Sequence, residues 1–190
     1  MNKKLHYFAY GLGGLIVGIT LAYTTIYYRI HSPLEDKEII VGQYEVCFTP
    51  PSGCLSKIIS KINESQKSIY IQAYSFTAKE VKNALIQAWK RGVKIEIIVD
   101  RGQKKAKGSI IHDLAIEKIP IYLDCVSGLA HNKVMIIDER IVITGSFNFT
   151  KAANTRNAEN LLVIQDRKLA SIYKQNWDQR LLKAKKYILN

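Results

Sequence analysis

Apolar residues follow two different periods along the chain after residue 43. Runs rich in β-branched and aromatic residues, such as 68–76 and 93–99, predict buried strands. Between these two runs, apolar residues recur every three or four positions and predict an amphipathic helix. A strand, a short helix and a second strand favour parallel pairing in one sheet, so the pattern indicates an α/β fold. The predicted strands are 43–49, 68–76, 93–99, 119–123 and 160–164, and the predicted helices are 52–64, 78–91, 110–118 and 166–189.

The stretch 129–150, LAHNKVMIIDERIVITGSFNFT, carries polar residues on two apolar runs separated by a tight turn. Side chains at i and i+2 of a strand point the same way, so a strand here brings His131 and Lys133 together. The same rule pairs Ser146 with Asn148 on the second run. We expect the resulting hairpin to gather these four side chains at one place. A nucleophilic imidazole, a fixed cation and two neutral hydrogen-bonding groups suit the chemistry of a phosphate diester.

The charge of the chain favours a polyanionic partner. The 190 residues carry a formal net charge of +12, and removing the first 30 residues, which hold three basic and no acidic residues, leaves +9. Such a field attracts nucleic acid or an anionic lipid surface. A polar loop after the predicted strand 93–99 contains Lys104, Lys105 and Lys107, at a place where open α/β sheets bind ligands. A polyanion-binding loop and a merely solvated loop both fit this pattern.

The N-terminal segment 5–28 is apolar and contains no Lys, Arg, Asp or Glu. It is long enough to span a bilayer, and the two lysines before it favour a cytoplasmic N-terminus. A cleaved signal peptide fits the same features. We assign residues 1–30 to a signal peptide or membrane anchor and 31–42 to a linker. We expect the domain 43–190 to be exported, either periplasmic, secreted or anchored in the inner membrane outside the cytoplasm.

Two cysteines, Cys47 and Cys54, flank a Pro-Pro turn. In an exported protein such a pair favours a disulfide that closes a short loop. Free thiols are the main alternative. A zinc site needs four ligands, and only Cys125 and scattered histidines remain to supply them.

A sequence motif links the polar residues of the hairpin to a known family. The segment 131–138, HNKVMIID, fits H-x-K-x(4)-D, and the segment 145–148, GSFN, follows it. This grouping resembles the HKD motif of the phospholipase D superfamily, and the resemblance covers nearly all of 43–190. It points to short bacterial members with one motif per chain, among them the Nuc endonuclease, small secreted phospholipases D and the related Zucchini-type proteins. It implies a phospholipase D-like α/β/α sandwich with a mixed, largely parallel central sheet.

The resemblance also implies a mechanism. His131 attacks phosphorus and forms a covalent phosphohistidine, and a second histidine protonates the leaving oxygen and then activates water. The other histidines of the chain, His6, His31 and His112, lie in no similar setting. The second histidine is therefore expected to be His131 of another copy, which requires a homodimer with a composite active site.

The same resemblance suggests roles for the neighbouring residues. Lys133, Ser146 and Asn148 are expected to bind the phosphate oxygens as negative charge grows. Glu159, at the start of the last predicted strand, is expected to accept a hydrogen bond from Nδ1 of His131 and fix its orientation.

The third residue of the catalytic motif, Asp138, projects from the far end of its strand, so we expect it to support the turn. We expect no metal and no cofactor, because Lys133 supplies the cation and no carboxylate cluster is evident.

The substrate stays open between two phosphodiesters. A sequence-nonspecific nuclease explains the basic charge and the loop lysines, because lysines contact backbone phosphates rather than base edges. A phospholipase D acting on phosphatidylcholine or cardiolipin explains the apolar segment 5–28 as a membrane contact. A non-enzymatic protein that binds nucleic acid or membranes is a third reading, and the intact catalytic motif argues against it. Of these we favour the nuclease.

Overall fold

A computed structural model describes residues 43–51 and 53–189, which form one eight-stranded sheet flanked by helices. No helix within these residues has the length and apolar character to cross a membrane. The predicted segment 5–28 and the linker 31–42 lie outside the described residues. The elements in chain order are β1 (Gln43–Thr49), α1 (Cys54–Glu64), β2 (Ser68–Ala73), α2 (Lys79–Lys90), β3 (Lys94–Asp100), α3 (Ile111–Ile116), β4 (Ile121–Asp124), β5 (Lys133–Ile137), β6 (Ile141–Gly145), α4 (Lys151–Thr155), β7 (Glu159–Gln165), α5 (Arg167–Leu181) and β8 (Ala184–Lys186).

The sheet is mixed, with the strand order β1-β7-β6-β5-β2-β3-β4-β8. Only the neighbours β2–β3 and β3–β4 are parallel, and the other five pairs are antiparallel. The expectation of a largely parallel sheet is therefore wrong. Parallel neighbours need a crossover connection, and here only the segments that carry α2 and α3 provide one. The β5–β6 hairpin and the short connection through α4 instead place successive strands side by side in opposite directions.

Side-chain alternation along the strands gives the sheet a hydrophobic core on each face. On one face Ile69 and Ile71 of β2 belong to a core cluster that includes buried residues of α1, α2 and α3. On the other face Tyr70 packs with Trp177 of α5, and the Trp177 indole donates a hydrogen bond to the Ile71 carbonyl at 3.0 Å. Full burial of one such large apolar side chain contributes roughly 1.5–3 kcal/mol. The expected α/β/α layering is present.

The last predicted helix is shorter than expected. It ends at Leu181 rather than at 189, and the residues after it form β8, which pairs antiparallel with β4. Lysines 183, 185 and 186 interrupt the apolar helical stripe, while the edge of β4 offers backbone hydrogen bonds. The short helix α4 was not predicted from the sequence. Its N-terminus is capped by Thr150, whose hydroxyl accepts a hydrogen bond from the Ala153 amide at 3.1 Å.

A disulfide joins Cys47 of β1 to Cys54 at the start of α1. Asn154 of α4 supports the same region, because its side-chain oxygen accepts hydrogen bonds from the backbone amides of Gly53 and Leu55 at 3.2 and 3.0 Å. Cys125, after β4, is an exposed free thiol.

The turn between β5 and β6 is held by Asp138. Both Asp138 and Glu139 adopt the left-handed conformation, with φ of 53° and 54°. The Asp138 carboxylate accepts hydrogen bonds from the backbone amides of Lys67 at 2.7 Å and Ser68 at 3.1 Å, and also from Gln66. It therefore ties the hairpin turn to the start of β2, at the end of β5 opposite Lys133.

We predict that Asp138→Ala lowers the free energy of unfolding by about 1–3 kcal/mol, because it removes the acceptor for these backbone amides. Urea denaturation monitored by circular dichroism measures the change. Glu139→Ala is the matched control, since Glu139 has the same left-handed backbone but makes none of these hydrogen bonds. Equal destabilisation by both substitutions would show that backbone strain, not the hydrogen bonds, accounts for the loss.

Candidate active site

The polar residues of the motif, apart from Asp138, gather at one edge of the sheet. Ala73, at the end of β2, pairs with Lys133 at the start of β5, and Gly145 at the end of β6 pairs with Leu161 of β7. His131 lies just before β5 rather than on it, so the expectation that both residues belong to the strand is wrong, although their side chains do come together. Backbone pairing continues one residue beyond β5, because the Tyr74 amide donates to the Asn132 carbonyl at 2.8 Å, and His131 lies just past this last hydrogen bond.

Lys133 nevertheless contacts His131 closely. Its ammonium nitrogen Nζ lies 3.0 Å from Nδ1 and 3.1 Å from Nε2 of the His131 ring, and it donates a hydrogen bond to the His131 carbonyl at 2.9 Å. Lys133 is only 7% exposed, while His131 is exposed. Burial lowers the pKa of Lys133 because it penalises the charged ammonium, and the negative charge of Glu159 acts in the opposite direction. The site thus holds a poorly solvated cation against an accessible imidazole.

Tyr74, directly after β2, packs on both residues. Its ring centroid lies 4.4 Å from that of His131, and Nζ of Lys133 lies 5.0 Å from the Tyr74 ring centroid. The latter distance is within the range of a cation–π interaction. Sequence reasoning missed Tyr74, although its place at the end of β2 puts it at the same sheet edge as Lys133.

A buried carboxylate fixes the backbone that leads to His131. Asp100, at the end of β3, is 5% exposed and accepts a hydrogen bond from the Ala130 amide at 2.9 Å. Its other oxygen accepts from the Gly102 amide at 2.8 Å. Asp100 therefore connects the loop after β3 to the segment carrying His131. The sequence offered only one signal for it, an acid that closes an apolar strand.

Ser146 and Glu159 form the second group of polar residues. The Ser146 hydroxyl donates to Oε2 of Glu159 at 2.6 Å and accepts a hydrogen bond from the Asn160 amide at 3.1 Å. Asn157 donates to the other carboxylate oxygen at 3.0 Å. The hydrogen bonds of Glu159 thus go to Ser146 and Asn157, and the expected bond to His131 is not formed. The antiparallel pairing of β6 with β7 places the Ser146 hydroxyl directly against the start of β7.

The backbone at Gly145 explains why a glycine precedes Ser146. Gly145 has a φ of +141°, and a Cβ atom there would collide with the backbone oxygen of Asn160. A larger residue would push β6 away from β7 and displace Ser146 from Glu159.

Asn148 lies between two anchors in the core, Phe147 and Phe149, which are 0% and 1% exposed. Phe149 packs against Phe76, with 5.9 Å between ring centroids, and this contact fixes the loop after β6 to the loop after β2. Within the described residues, Oδ1 of Asn148 is buried and has no hydrogen-bond partner. The neighbouring phenylalanines therefore fix the position of Asn148, while its side-chain oxygen makes no hydrogen bond within the fold.

The three loop lysines lie at the same edge of the sheet. Lys104, Lys105 and Lys107 are exposed and follow Asp100, whose carboxylate binds the segment before His131. Polyanion binding by this loop stays a prediction. Across residues 43–51 and 53–189, no three His, Cys, Asp or Glu side chains cluster as metal ligands would.

Comparison with known proteins extends the similarity beyond the motif. A family model described as the PLD-like domain of cardiolipin synthase matches residues 58–181. A protein of Rickettsia felis named phospholipase D is 50% identical over 143 residues, which cover 75% of this chain and 72% of that relative. The solved structure of the phospholipase D family member Nuc from Salmonella typhimurium has a TM-score of 0.74 and 37% identity, covering 77% of this chain and 99% of Nuc. NucT from Helicobacter pylori has a TM-score of 0.65 and 26% identity, covering 76% and 100%.

The matched region 58–181 includes both motif segments and Glu159. The similarity also extends across the sheet and its helices, so it is not confined to a short pattern that could arise by chance. The resemblance inferred from the HKD motif is confirmed. The chain belongs to the phospholipase D superfamily as one of its short members, and it is a phosphodiester hydrolase of that superfamily.

Proposed function

We propose that this chain hydrolyses phosphodiesters without a metal, through a covalent intermediate on His131. The contact between Nζ of Lys133 and the His131 ring, at 3.0–3.1 Å, carries the proposal. It places a fixed positive charge next to the nucleophile, where the phosphate oxygens gain negative charge during attack. The imidazole Nε2 forms a bond to phosphorus while the bond to the leaving oxygen breaks, and the leaving oxygen takes up a proton. Water then attacks phosphorus, releases the imidazole and yields a phosphomonoester.

The proton donor comes from a second copy of the chain in this proposal. A single chain supplies one exposed imidazole at the site, and the only other histidine in the described region, His112, lies on α3. A two-fold axis that brings two copies of His131 to one phosphate supplies both a nucleophile and an acid. The active unit is then a homodimer with a composite site.

The second polar group supports the phosphate site in this mechanism. Lys133 and Asn148 stabilise the phosphate oxygens. The single O–H donor of Ser146 already goes to Glu159, so Ser146 holds that carboxylate in place and does not bind the phosphate as the motif had led us to expect. The negative charge of Glu159 also favours the charged form of Lys133, which counters the effect of burial on its pKa. Glu159 thus acts on the site through its charge beside Lys133 rather than by a hydrogen bond to His131.

Nucleic acid is the substrate that we favour. Lys104, Lys105 and Lys107 are exposed at the sheet edge that holds His131, where they can contact successive backbone phosphates. Residues 31–190 keep a net charge of +9, so the attraction does not depend on the N-terminal segment. Contacts of this kind recognise backbone charge, and cleavage is therefore independent of base sequence.

A phospholipase D activity is the second candidate. The Rickettsia felis relative, 50% identical over 143 residues, is named phospholipase D. Leu129, two residues before His131, is an apolar side chain that is 63% exposed and can contact the acyl region of a lipid. Phosphatidylcholine and cardiolipin are the lipids to test. Either activity uses the same phosphohistidine step.

We predict that His131→Asn abolishes turnover and phosphoenzyme formation but leaves the fold intact. His131 is exposed, so its replacement opens no cavity in the core. The loss expected on removing a nucleophile is at least about 10³-fold in kcat. The covalent intermediate is measured by acid quench and mass spectrometry, with circular dichroism as the folding control. Wild-type turnover in this variant would refute the role of His131.

Mixed dimers test the composite site directly. If each site needs His131 from both copies, a dimer of one wild-type and one His131→Asn chain is inactive. Equal amounts of both chains, refolded together, then retain about a quarter of the activity of the same total amount of wild-type protein. Sites that each use a single chain would instead retain about half. Analytical ultracentrifugation confirms that both preparations are dimeric.

We also predict that activity persists after removal of divalent metals, because Lys133 supplies the positive charge at the phosphate. The assay incubates the purified protein in EDTA with plasmid DNA, RNA, and vesicles of phosphatidylcholine or cardiolipin. Cleavage of DNA or RNA at many sequences supports the nuclease. Hydrolysis of lipid alone supports the second candidate. Activity that appears only when a divalent metal is restored contradicts the metal-independent mechanism.

A further inference from the structure

A groove of about 350 Å³ opens beside His131, between the segment after β4 and helix α5. Asn132 lines it next to the nucleophile, and Asn176 and Arg180 line it from α5. The mechanism described above uses none of these three residues. All of them carry hydrogen-bond donors, and one carries a full positive charge.

Arg180 is held in place by a buried carboxylate. Its Nε donates to Oδ2 of Asp124 at 2.9 Å, and its Nη2 donates to Oδ1 of the same residue. Asp124 is 2% exposed, and its Oδ1 also accepts a hydrogen bond from the Val126 amide at 3.0 Å. The ion pair raises the pKa of Arg180, mainly through the hydrogen bond to Asp124.

This pairing uses only one side of the guanidinium group. A guanidinium has five N–H donors, and the contact with Asp124 occupies the side formed by Nε and Nη2. Nη1 takes part in no hydrogen bond within residues 43–51 and 53–189, so the end formed by Nη1 and Nη2 keeps donors available. Two parallel donors of this kind match the oxygens of a phosphate group. Asp124 acts as a positioning residue that orients this pair of donors, Nη1 and Nη2, which we call the fork of Arg180.

Asn176 adds a donor to the same groove. Its Oδ1 accepts a hydrogen bond from Nε2 of the buried Gln72 at 3.3 Å. That bond defines which end of the Asn176 amide is the acceptor and leaves its Nδ2 group as the donor. Asp124 also lines the groove, and its carboxylate largely balances the charge of Arg180, so the groove offers a phosphate mainly directed N–H donors rather than excess positive charge.

We propose that this groove binds the phosphate next to the scissile phosphodiester of a nucleic acid strand. The inference rests on the proposed function, since it assigns the scissile phosphate to His131. Arg180 receives the neighbouring phosphate through its free fork, and Asn132 and Asn176 complete the subsite. A purely structural ion pair between α5 and β4 accounts for the Asp124 contact but gives no preference between substrates. Substrate preference therefore separates the two roles.

Binding is measured first, in the His131→Asn background, so that the result does not depend on turnover. The probes are a thymidine dinucleotide with one internal phosphate and the same dinucleotide with an additional 5′ or 3′ phosphate. We expect one of the two phosphorylated probes to bind about tenfold or more tightly than the unphosphorylated one, as for a charge-assisted bidentate contact. Equal affinity for all three dinucleotides would overturn the subsite. If the protein binds cardiolipin vesicles but none of the dinucleotides, the groove is not a subsite for nucleic acid.

Variants of the groove residues then test whether the groove causes the tighter binding of the phosphorylated dinucleotide. Arg180→Gln alone leaves a buried unpaired carboxylate, so the double variant Asp124→Asn with Arg180→Gln is tested beside it. Asn176→Asp keeps the ion pair but adds negative charge to the groove. Each is expected to remove the preference for the additional phosphate while affinity for the unphosphorylated dinucleotide stays within about twofold. Arg167→Gln, the same substitution at an exposed position of α5, is the matched control.

Kinetics in the wild-type background separate this inference from the proposed function. The groove variants should lower kcat/KM about 10- to 100-fold for the phosphorylated dinucleotide and leave the value for bis(p-nitrophenyl) phosphate nearly unchanged. Equal losses on both substrates would overturn the subsite but not the phosphohistidine mechanism. A wild-type protein that binds the extra phosphate but hydrolyses no probe would support the subsite and contradict the proposed function.

Discussion

The site depends on one ammonium group held out of water beside an imidazole. Lys133 is almost fully buried, and its Nζ contacts both ring nitrogens and the carbonyl of His131. Burial of an unpaired cation is costly, so the surroundings must offer compensating contacts. The His131 carbonyl, the face of Tyr74 and the charge of Glu159 provide them. The arrangement gives a positive charge that is fixed before the substrate arrives and needs little reorganisation during the reaction.

The fold keeps this contact in place by tying loops to strand ends. Asp100 binds the amide of Ala130 and so fixes the backbone just before His131, while β5 fixes Lys133 just after it. On the other side, Gly145 lets β6 and β7 approach closely enough for Ser146 to reach Glu159. His131 and Ser146 therefore lie within two residues of a strand, and Asn148 lies within three. His131 can therefore be exposed to the substrate while its position relative to Lys133 stays fixed.

Local patterns predicted the α/β class and the residues of the motif, because both depend on short-range spacing. The order of strands was harder, since antiparallel neighbours such as β1 and β7 are more than 100 residues apart in sequence. The prediction that Glu159 binds His131 was wrong for a related reason. Register decides which side chain faces the carboxylate, and a shift of one residue changes the neighbour. The pairing of Asp124 with Arg180 also lies beyond local patterns, because the two residues are 56 positions apart in sequence.

A single motif per chain has a consequence for how the proposed dimer works. Two copies of His131 related by symmetry are chemically identical, yet one must attack phosphorus while the other gives a proton to the leaving oxygen. Only the orientation of the substrate can distinguish them, because a phosphodiester has two ester oxygens and the one opposite the attacking imidazole leaves, next to the other subunit. A groove that binds the neighbouring phosphate on one side would fix the direction of the strand across the two-fold axis. It would then decide which copy of His131 becomes the nucleophile.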